Sequence, residues 1–344
     1  MDILALVAAS FLLAPLAAWL GGRSSPFVAA IPALLFAGFW TFLPEIRAGA
    51  TPTEVHPWIP SLGIAASFRV DGLSLLFALL ITGIGTLVFL YASAYLKGRE
   101  RLPRFYAALT LFMGAMIGAV LADDLILLVV FWELTSLTSF LLIGTTPESA
   151  EARRSAQQGL LVTVAGGLAL LAAVILMGAG LGTYSISEIL ARGGAVAALP
   201  AAPAIIALLA IGAFAKSAQA PLHSWLPNAM VAPTPVSAFL HSATMVKLGV
   251  YLLARFNPAF EGDGLWTLLL TGVGGVTMIA GAALAVRETD LKRVLAYSTV
   301  VSLGTLVLMI GVPGEMSALA VAAFLFGHAL YKACLFLVAG IVDH

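Results

Sequence analysis

The sequence predicts an all-α polytopic membrane protein. Three observations carry that prediction. The chain is 61% hydrophobic and only 10% charged over 344 residues, its mean hydropathy is +1.05, and its apolar residues fall in runs long enough to cross a bilayer. Soluble domains sit near 45–50% apolar and about 25% charged. A helix needs about 20 apolar residues to cross the hydrocarbon.

Eleven such segments are expected, at roughly 2–20, 26–44, 71–96, 104–122, 124–144, 153–180, 201–228, 234–256, 264–286, 290–312 and 317–342. The first begins Met1-Asp2 with no positive flank and reads as a retained span, not a cleaved leader. Asp71 in FRVDGLSLLF stands where a cap for the third span belongs. The seventh carries Pro221 inside and Pro227 six residues on. Proline removes a backbone donor, and freed carbonyls at membrane depth need protein or water. The seventh helix is therefore expected to break near Ser217–Pro221, just after Lys216. The eighth is expected to open at Thr234-Pro235, a cap followed by a first-turn proline.

Lysine and arginine set the orientation. With the N-terminus outside, the inner loops hold Arg23, Lys97, Arg99, Arg101, Arg104, Arg153, Arg154, Arg287, Lys292 and Arg293. The outer loops hold only Arg47, Arg69, Arg192 and Arg255. The expected arrangement is thus N-terminus outside and the His344 end on the cytoplasmic side of a cell membrane. Glu45, Glu54, Glu188, Glu261, Asp263 and Glu315 fall on the outer side and read as solvated.

Acids and bases balance at 17 each, and no basic tail is present, which argues against nucleic acid. A single cysteine, Cys334, excludes an internal disulfide framework or a cysteine-rich cluster. His241 and His328 lack the spacing of haem or zinc ligands, and LGT and GVGG lack a phosphate-loop context. No cofactor and no metal are expected.

The informative residues are ionisable groups inside the apolar runs: Glu133, Lys216, Lys247 and Lys332, with His241 and His328. A charge at a helix centre costs about 2.5–3.5 kcal/mol on insertion scales. Four would cost on the order of 10 kcal/mol, comparable to a domain's net stability. They must face protein or water. Glu133 is followed by Thr135, Ser136, Thr138 and Ser139, hydroxyls suited to holding water. A Glu133–Lys216 pair at 4 Å would be worth about 4 kcal/mol at an effective dielectric of 20. Its opening and closing would make a proton switch. Lys216 as a snorkelling lysine is the bland alternative, and the expected break beside it argues against that. His241 and Lys247 are six apart, about 600° of helix rotation, so they point to different faces of a continuous helix. His328 and Lys332 are four apart and share a face. Buried charges that merely fix helix register remain the structural alternative.

VDGLS (70–74), DDLILLVVFWELTSLTSFLLIG (123–144), AKSAQAPLHSWLPNAM (215–230), HSATMVKLGVYLLAR (241–255), DLKRVLAYSTV (290–300) and HALYKACLFLVAG (328–340) resemble the antiporter-like subunits shared by Mrp-type cation/proton antiporters and respiratory complex I. The wording is most similar to the large A subunit of the Mrp antiporters. The resemblance implies inverted five-helix repeats, each with a broken helix: residues 1–103 as three preceding helices, 104–256 as the first repeat, and 264–344 as the start of a second, truncated one. It implies that Glu133 and Lys216 are a paired acid and base, with Lys247, His241, His328 and Lys332 carrying protons along a central polar axis. It also implies Na⁺ or another monovalent cation as the exchanged ion, a bilayer, and other small and large membrane subunits as partners. A proton-pumping subunit of complex I is the alternative. The missing second broken helix marks the chain as an expected fragment or split product.

Overall fold

A computed structural model describes residues 2–314 and 317–343; the expected outer site of Glu315 and the His344 end lie outside the described residues. Each of the eleven expected segments is helical. The first is not straight. Helix α1 (Ile3–Leu12) bends by 40° into α2 (Ala14–Gly21), where Pro15 cannot donate to the ladder. Helices α3 (Ala30–Trp40) and α4 (Leu43–Arg47) follow.

No span was expected between residues 44 and 71, and residues 53–69 there form a β-hairpin. Strand β1 (Thr53–Ile59) pairs antiparallel with β2 (Ile64–Arg69), Thr53 opposite Arg69. Gly63 turns the chain at φ +67°, a conformation glycine adopts without steric cost. Glu54, expected to be solvated, instead accepts from Ile3 N (2.6 Å) and Leu4 N (2.9 Å) and caps α1. Asp123 N donates to Ser67 O (2.8 Å), which ties the hairpin to the bundle.

The long helices are α5 (Gly72–Tyr95), α6 (Leu102–Leu121), α7 (Leu125–Ile143) and α8 (Ala150–Leu181). Asp71 caps α5 as expected, in a reciprocal box with Ser74: Ser74 N donates to Asp71 Oδ1 (2.9 Å) and Asp71 N to Ser74 Oγ (2.8 Å). Asp124 and Ser149 cap α7 and α8. A short α9 (Ile186–Ala191) leads to α10 (Ala202–Lys216).

Helix α10 stops at Lys216, where the break was expected. Ala218 takes a left-handed φ of +48°, and only the short turn α11 (Trp225–Asn228), followed by a 3₁₀ turn at Ala229–Val231, forms before the next span. That next segment corrects an expectation. It is not continuous: α12 (Thr234–Ser242) and α13 (Met245–Phe260) are separated at Ala243–Thr244. No proline or glycine marks this break. Side chains sustain it, since Thr244 Oγ1 donates to Phe239 O (2.6 Å) and the Lys247 ammonium donates to Ser242 O. The face argument for His241 and Lys247 therefore fails, because they lie on two different helices.

Helices α14 (Gly264–Ala285), α15 (Leu291–Gly311) and α16 (Ser317–Asp343) complete the bundle. Among the described residues, nine helices are long and apolar enough to cross a membrane, ten if α1 and α2 count as one span, and α10 is a shorter apolar helix. The α12–α13 segment is enclosed on all sides, whereas α8 and α14 expose leucines such as Leu161, Leu168 and Leu268. The most enclosed helix is thus the most polar one, and its histidine and lysine meet protein.

Candidate functional site

Lys216 is the last residue of α10 and is completely buried. Its ammonium donates to Trp132 O (3.0 Å), Thr135 Oγ1 (2.9 Å) and Ser136 Oγ (2.7 Å), all on α7. Those positions are i, i+3 and i+4, one helix face. Three acceptors satisfy three donors. The helix end adds the favourable partial charge of its C-terminus.

Glu133 is the next residue after Trp132, so it points elsewhere. It is half-buried and faces α8, where a Cβ built on Gly167 would lie 1.6 Å from Glu133 Oε1. That oxygen has no hydrogen-bond partner among the described residues. The expected direct Glu133–Lys216 ion pair is not formed; Lys216 is held by hydroxyls and a carbonyl instead. Two of the four hydroxyls expected to hold water, Thr135 and Ser136, hold the lysine directly, whereas Thr138 donates to Leu134 O (2.6 Å) and Ser139 to Ser136 O (2.9 Å). Gly167 supplies the space for the carboxyl.

The two broken segments touch. Ser217 Oγ donates to Val246 O (2.7 Å), and a Cβ on Gly249 would lie 2.3 Å from both Ala213 O and Ser217 Oγ. Glycine at 249 is what allows α13 to approach α10 beside Lys216. Carbonyls freed by the break are satisfied locally: Trp225 Nε1 donates to Ala215 O (3.0 Å) and Gln219 Nε2 to Ser217 O (2.8 Å). Ala220 N donates to Thr277 Oγ1 on α14 (2.9 Å).

Lys247, one turn into α13, is buried and donates to Ser242 O and, at 3.4 Å, to Leu325 O of α16. His328 stands one turn beyond Leu325 on α16. It is buried, its ring is edge-on to Tyr331 (5.2 Å between centroids), and neither nitrogen has a partner among the described residues. His241 stacks on Phe336 of the same helix at 5.4 Å, with Nδ1 unpartnered. Lys332 donates to Leu295 O (3.0 Å) and to Ser298 Oγ on α15. The structure thus gathers Lys247, His241, His328 and Lys332 around α12, α13 and α16, and places Lys216 beyond the α10–α13 contact. Ser298 was missed, since a hydroxyl in an apolar helix carries no signal of its own.

The pattern is uniform in one respect. Lys216, Lys247 and Lys332 are each held by neutral oxygens, with no carboxylate in contact among the described residues. An ammonium locked in an ion pair resists losing its proton; a row of ammoniums on neutral acceptors, beside histidines with free nitrogens, can exchange protons given bridging water.

At the hairpin end of α13 the same helix carries Tyr251 and Arg255, each one turn further from Lys247. Tyr251 OH donates to Val120 O (2.7 Å) and accepts from Arg255 Nε (3.2 Å). Arg255 pairs bidentately with Asp71, Nη2 to Oδ1 at 3.0 Å. Arg255 was expected in an outer loop; α13 runs on to Phe260, which makes it a helical residue with a partner. Burial pushes the Asp71 carboxyl up, but hydrogen bonds and charge from Arg255, with the Ser74 contacts, outweigh that and hold it at about 2. A cavity of about 250 Å³ opens here, lined by Arg69, Asp71, Asp123, Ser187 and Arg255 among others.

Known proteins share this sequence and architecture. Residues 122–344 match the family described as NADH:quinone oxidoreductase/Mrp antiporter, TM. Residues 58–106 match NADH-Ubiquinone oxidoreductase (complex I), chain 5 N-terminus. The chain is 48% identical over 333 residues to the A subunit of a Na(+)/H(+) antiporter of Alkalihalophilus pseudofirmus, covering 92% of this chain and 41% of that protein. It is 44% identical to the A/B subunit of a probable K(+)/H(+) antiporter of Rhizobium meliloti, covering 94% and 32%. Among solved structures, the Mrp complex of a Dietzia species contains a chain that superposes with a TM-score of 0.93 at 41% identity, covering all of this chain and 38% of that one. An archaeal membrane-bound sulfane sulfur reductase shares the fold, with a TM-score of 0.86 at 21% identity. The chain therefore spans between about a third and two-fifths of the length of these antiporter subunits.

Proposed function

Because this chain belongs to the NADH:quinone oxidoreductase/Mrp antiporter transmembrane family, we propose that it is the proton-conducting front part of a large subunit in a multisubunit monovalent cation/proton antiporter. The observation that carries this reading is the file of buried lysines, Lys216, Lys247 and Lys332, each on neutral oxygen acceptors and interleaved with His241 and His328. Protons would hop along it through water. Glu133 would deliver or collect them by swinging from Gly167 toward Lys216. A charge crossing the membrane gains about 2.3 kcal/mol per 100 mV, enough for the membrane potential to drive cation export.

The relay would belong to a first five-helix repeat over 104–256, preceded by residues 1–103 and followed by the start of a second, inverted repeat at 264–344. Other membrane subunits would pack around these repeats, with Na⁺ as the exchanged cation. The excess of lysine and arginine at the end bearing Lys97, Arg99 and Arg101 supports an outside N-terminus; labelling of an Arg99→Cys thiol from the outside would refute that orientation.

The test of function is a reconstituted complex in liposomes holding a trapped pH dye. An imposed Na⁺ gradient should drive opposite proton movement with no redox couple present. Proton movement that needs a quinone couple and ignores Na⁺ would replace this reading with that of a redox-driven pump. The relatives named as cation/proton antiporter subunits favour the first outcome.

A further inference from the structure

At the end of the bundle opposite the hairpin lies a cleft unrelated to the lysine file. Its volume is about 320 Å³, and it opens between the start of α6, the end of α7 and the start of α8. Three arginines rim it: Arg101, Arg104 and Arg153. Its walls deeper in the membrane are apolar, formed by Phe105, Ala108, Phe140 and Leu141. No acid lines it.

Only one of the three arginines is paired with an acid among the described residues. Arg101 pairs with Glu148 across 2.7 Å. Arg153 spends one nitrogen on the backbone oxygens of Pro147 and Glu148, which fixes the guanidinium without cancelling its charge. Arg104 has no ion pair or side-chain hydrogen bond among the described residues. One acid against three bases leaves a net charge of +2 at the rim. Leu137 and Leu141, on the α7 face beside the cleft, are about half exposed, so its wall continues onto an open apolar surface. A soluble anion would use the rim and leave the wall empty. A molecule with a phosphate head and a hydrocarbon tail would use both.

We propose that this cleft binds one anionic glycerophospholipid. The phosphodiester sits among Arg101, Arg104 and Arg153, where guanidinium forks match phosphate oxygens bidentately. An acyl chain lies along Phe105, Ala108, Phe140 and Leu141. The site clamps the α6–α7–α8 corner, and basic pockets between membrane helices at the cytoplasmic face suit such head groups. The inference does not rest on the proton relay.

The experiment titrates the purified, delipidated complex carrying this chain with phosphatidylglycerol, phosphatidylcholine or glycerol phosphate, and counts bound molecules by native mass spectrometry. The expected result is one phosphatidylglycerol retained, no phosphatidylcholine in its place, and at least tenfold weaker retention in Arg104→Gln/Arg153→Gln. Leu141→Trp fills the tail groove and leaves the arginines alone. It should weaken phosphatidylglycerol several-fold and confirm that a tail is bound. Equal retention by wild type and the arginine variant, in complexes assembled to the same yield, overturns the proposal. So does glycerol phosphate binding as well as the lipid, which would make this a soluble-phosphate site. A cross-link from position 104 to a neighbouring subunit with no arginine-dependent lipid also overturns it.

Discussion

Lys216 and Ser136 are joined across α10 and α7 by an Nζ–Oγ hydrogen bond of 2.7 Å, and the carboxylate of Glu133 takes no part in it. A hydrogen bond to a charged group is worth about 1.5–3 kcal/mol. Ser136→Ala removes one of the three acceptors that hold the ammonium while leaving Glu133 untouched. Na⁺-driven proton flux in reconstituted liposomes should fall about tenfold, and Ser136→Thr should keep most of it. A variant lacking the hydroxyl with wild-type flux would show that the lysine's neutral acceptors are incidental.

Two glycines separate packing from transport. At Gly249 a new side chain meets backbone, Ala213 O, which cannot move away cheaply. Overpacking of this kind costs about 1–3 kcal/mol. Gly249→Val should therefore lower the melting temperature of the solubilised complex by several degrees. At Gly167 the obstacle is the end of the Glu133 side chain, which can swing aside. Gly167→Ala should melt close to wild type but alter proton flux, since it denies Glu133 its resting place. Thermal melts and flux measured on the same preparations check both.

The Asp71–Arg255 pair should make stability depend on acid. Asp71 is held near 2, below its ordinary value of 3.8. Because the folded state lowers this value, its contribution is complete above about pH 5 and is lost as pH falls through 4 toward 2. The linkage is worth about 2 kcal/mol. Asp71→Asn should lower the melting temperature at pH 7, and the gap from wild type should narrow below about pH 4 and close toward pH 2. A gap that persists at acid pH would mean that the cap on α5, not the ion pair, sets the effect.

His328 keeps two buried ring nitrogens without partners among the described residues, and unsatisfied polar groups in a core cost about 1–3 kcal/mol. A residue retained at that cost, with function as the reason, gives a distinctive signature. His328→Leu should hold or raise the melting temperature while cutting Na⁺-driven proton flux about tenfold. Lost stability with unchanged flux would assign the histidine to packing.

Much of this was legible from cost alone. Lys216, Lys247, Lys332, His241 and His328 stand in apolar runs, and burying them in lipid is too expensive, so their enclosure by protein followed. Pro221 gave away the break after Lys216. The second break did not show. Ala243 and Thr244 carry no proline or glycine signal, and the gap is sustained by local side-chain contacts, Lys247 to Ser242 O and Thr244 Oγ1 to Phe239 O, each spanning five residues, which hydropathy and proline placement do not register. The hairpin was hidden because residues 48–70 are too short and too mixed for hydropathy to register. Glu54 looked solvated because its partners, Ile3 N and Leu4 N, lie about 50 residues away in the chain. The expected Glu133–Lys216 contact failed for a related reason: charge complementarity in a sequence cannot see Thr135, Ser136 and a backbone oxygen competing for the same ammonium.

The most direct measurement is Na⁺-driven proton flux in liposomes carrying the complete complex with Lys216→Ala in this chain, at matched assembly. The relay account predicts loss of at least nine-tenths of the wild-type rate, with subunit composition unchanged. Flux at the wild-type rate from a fully assembled Lys216→Ala complex would contradict it.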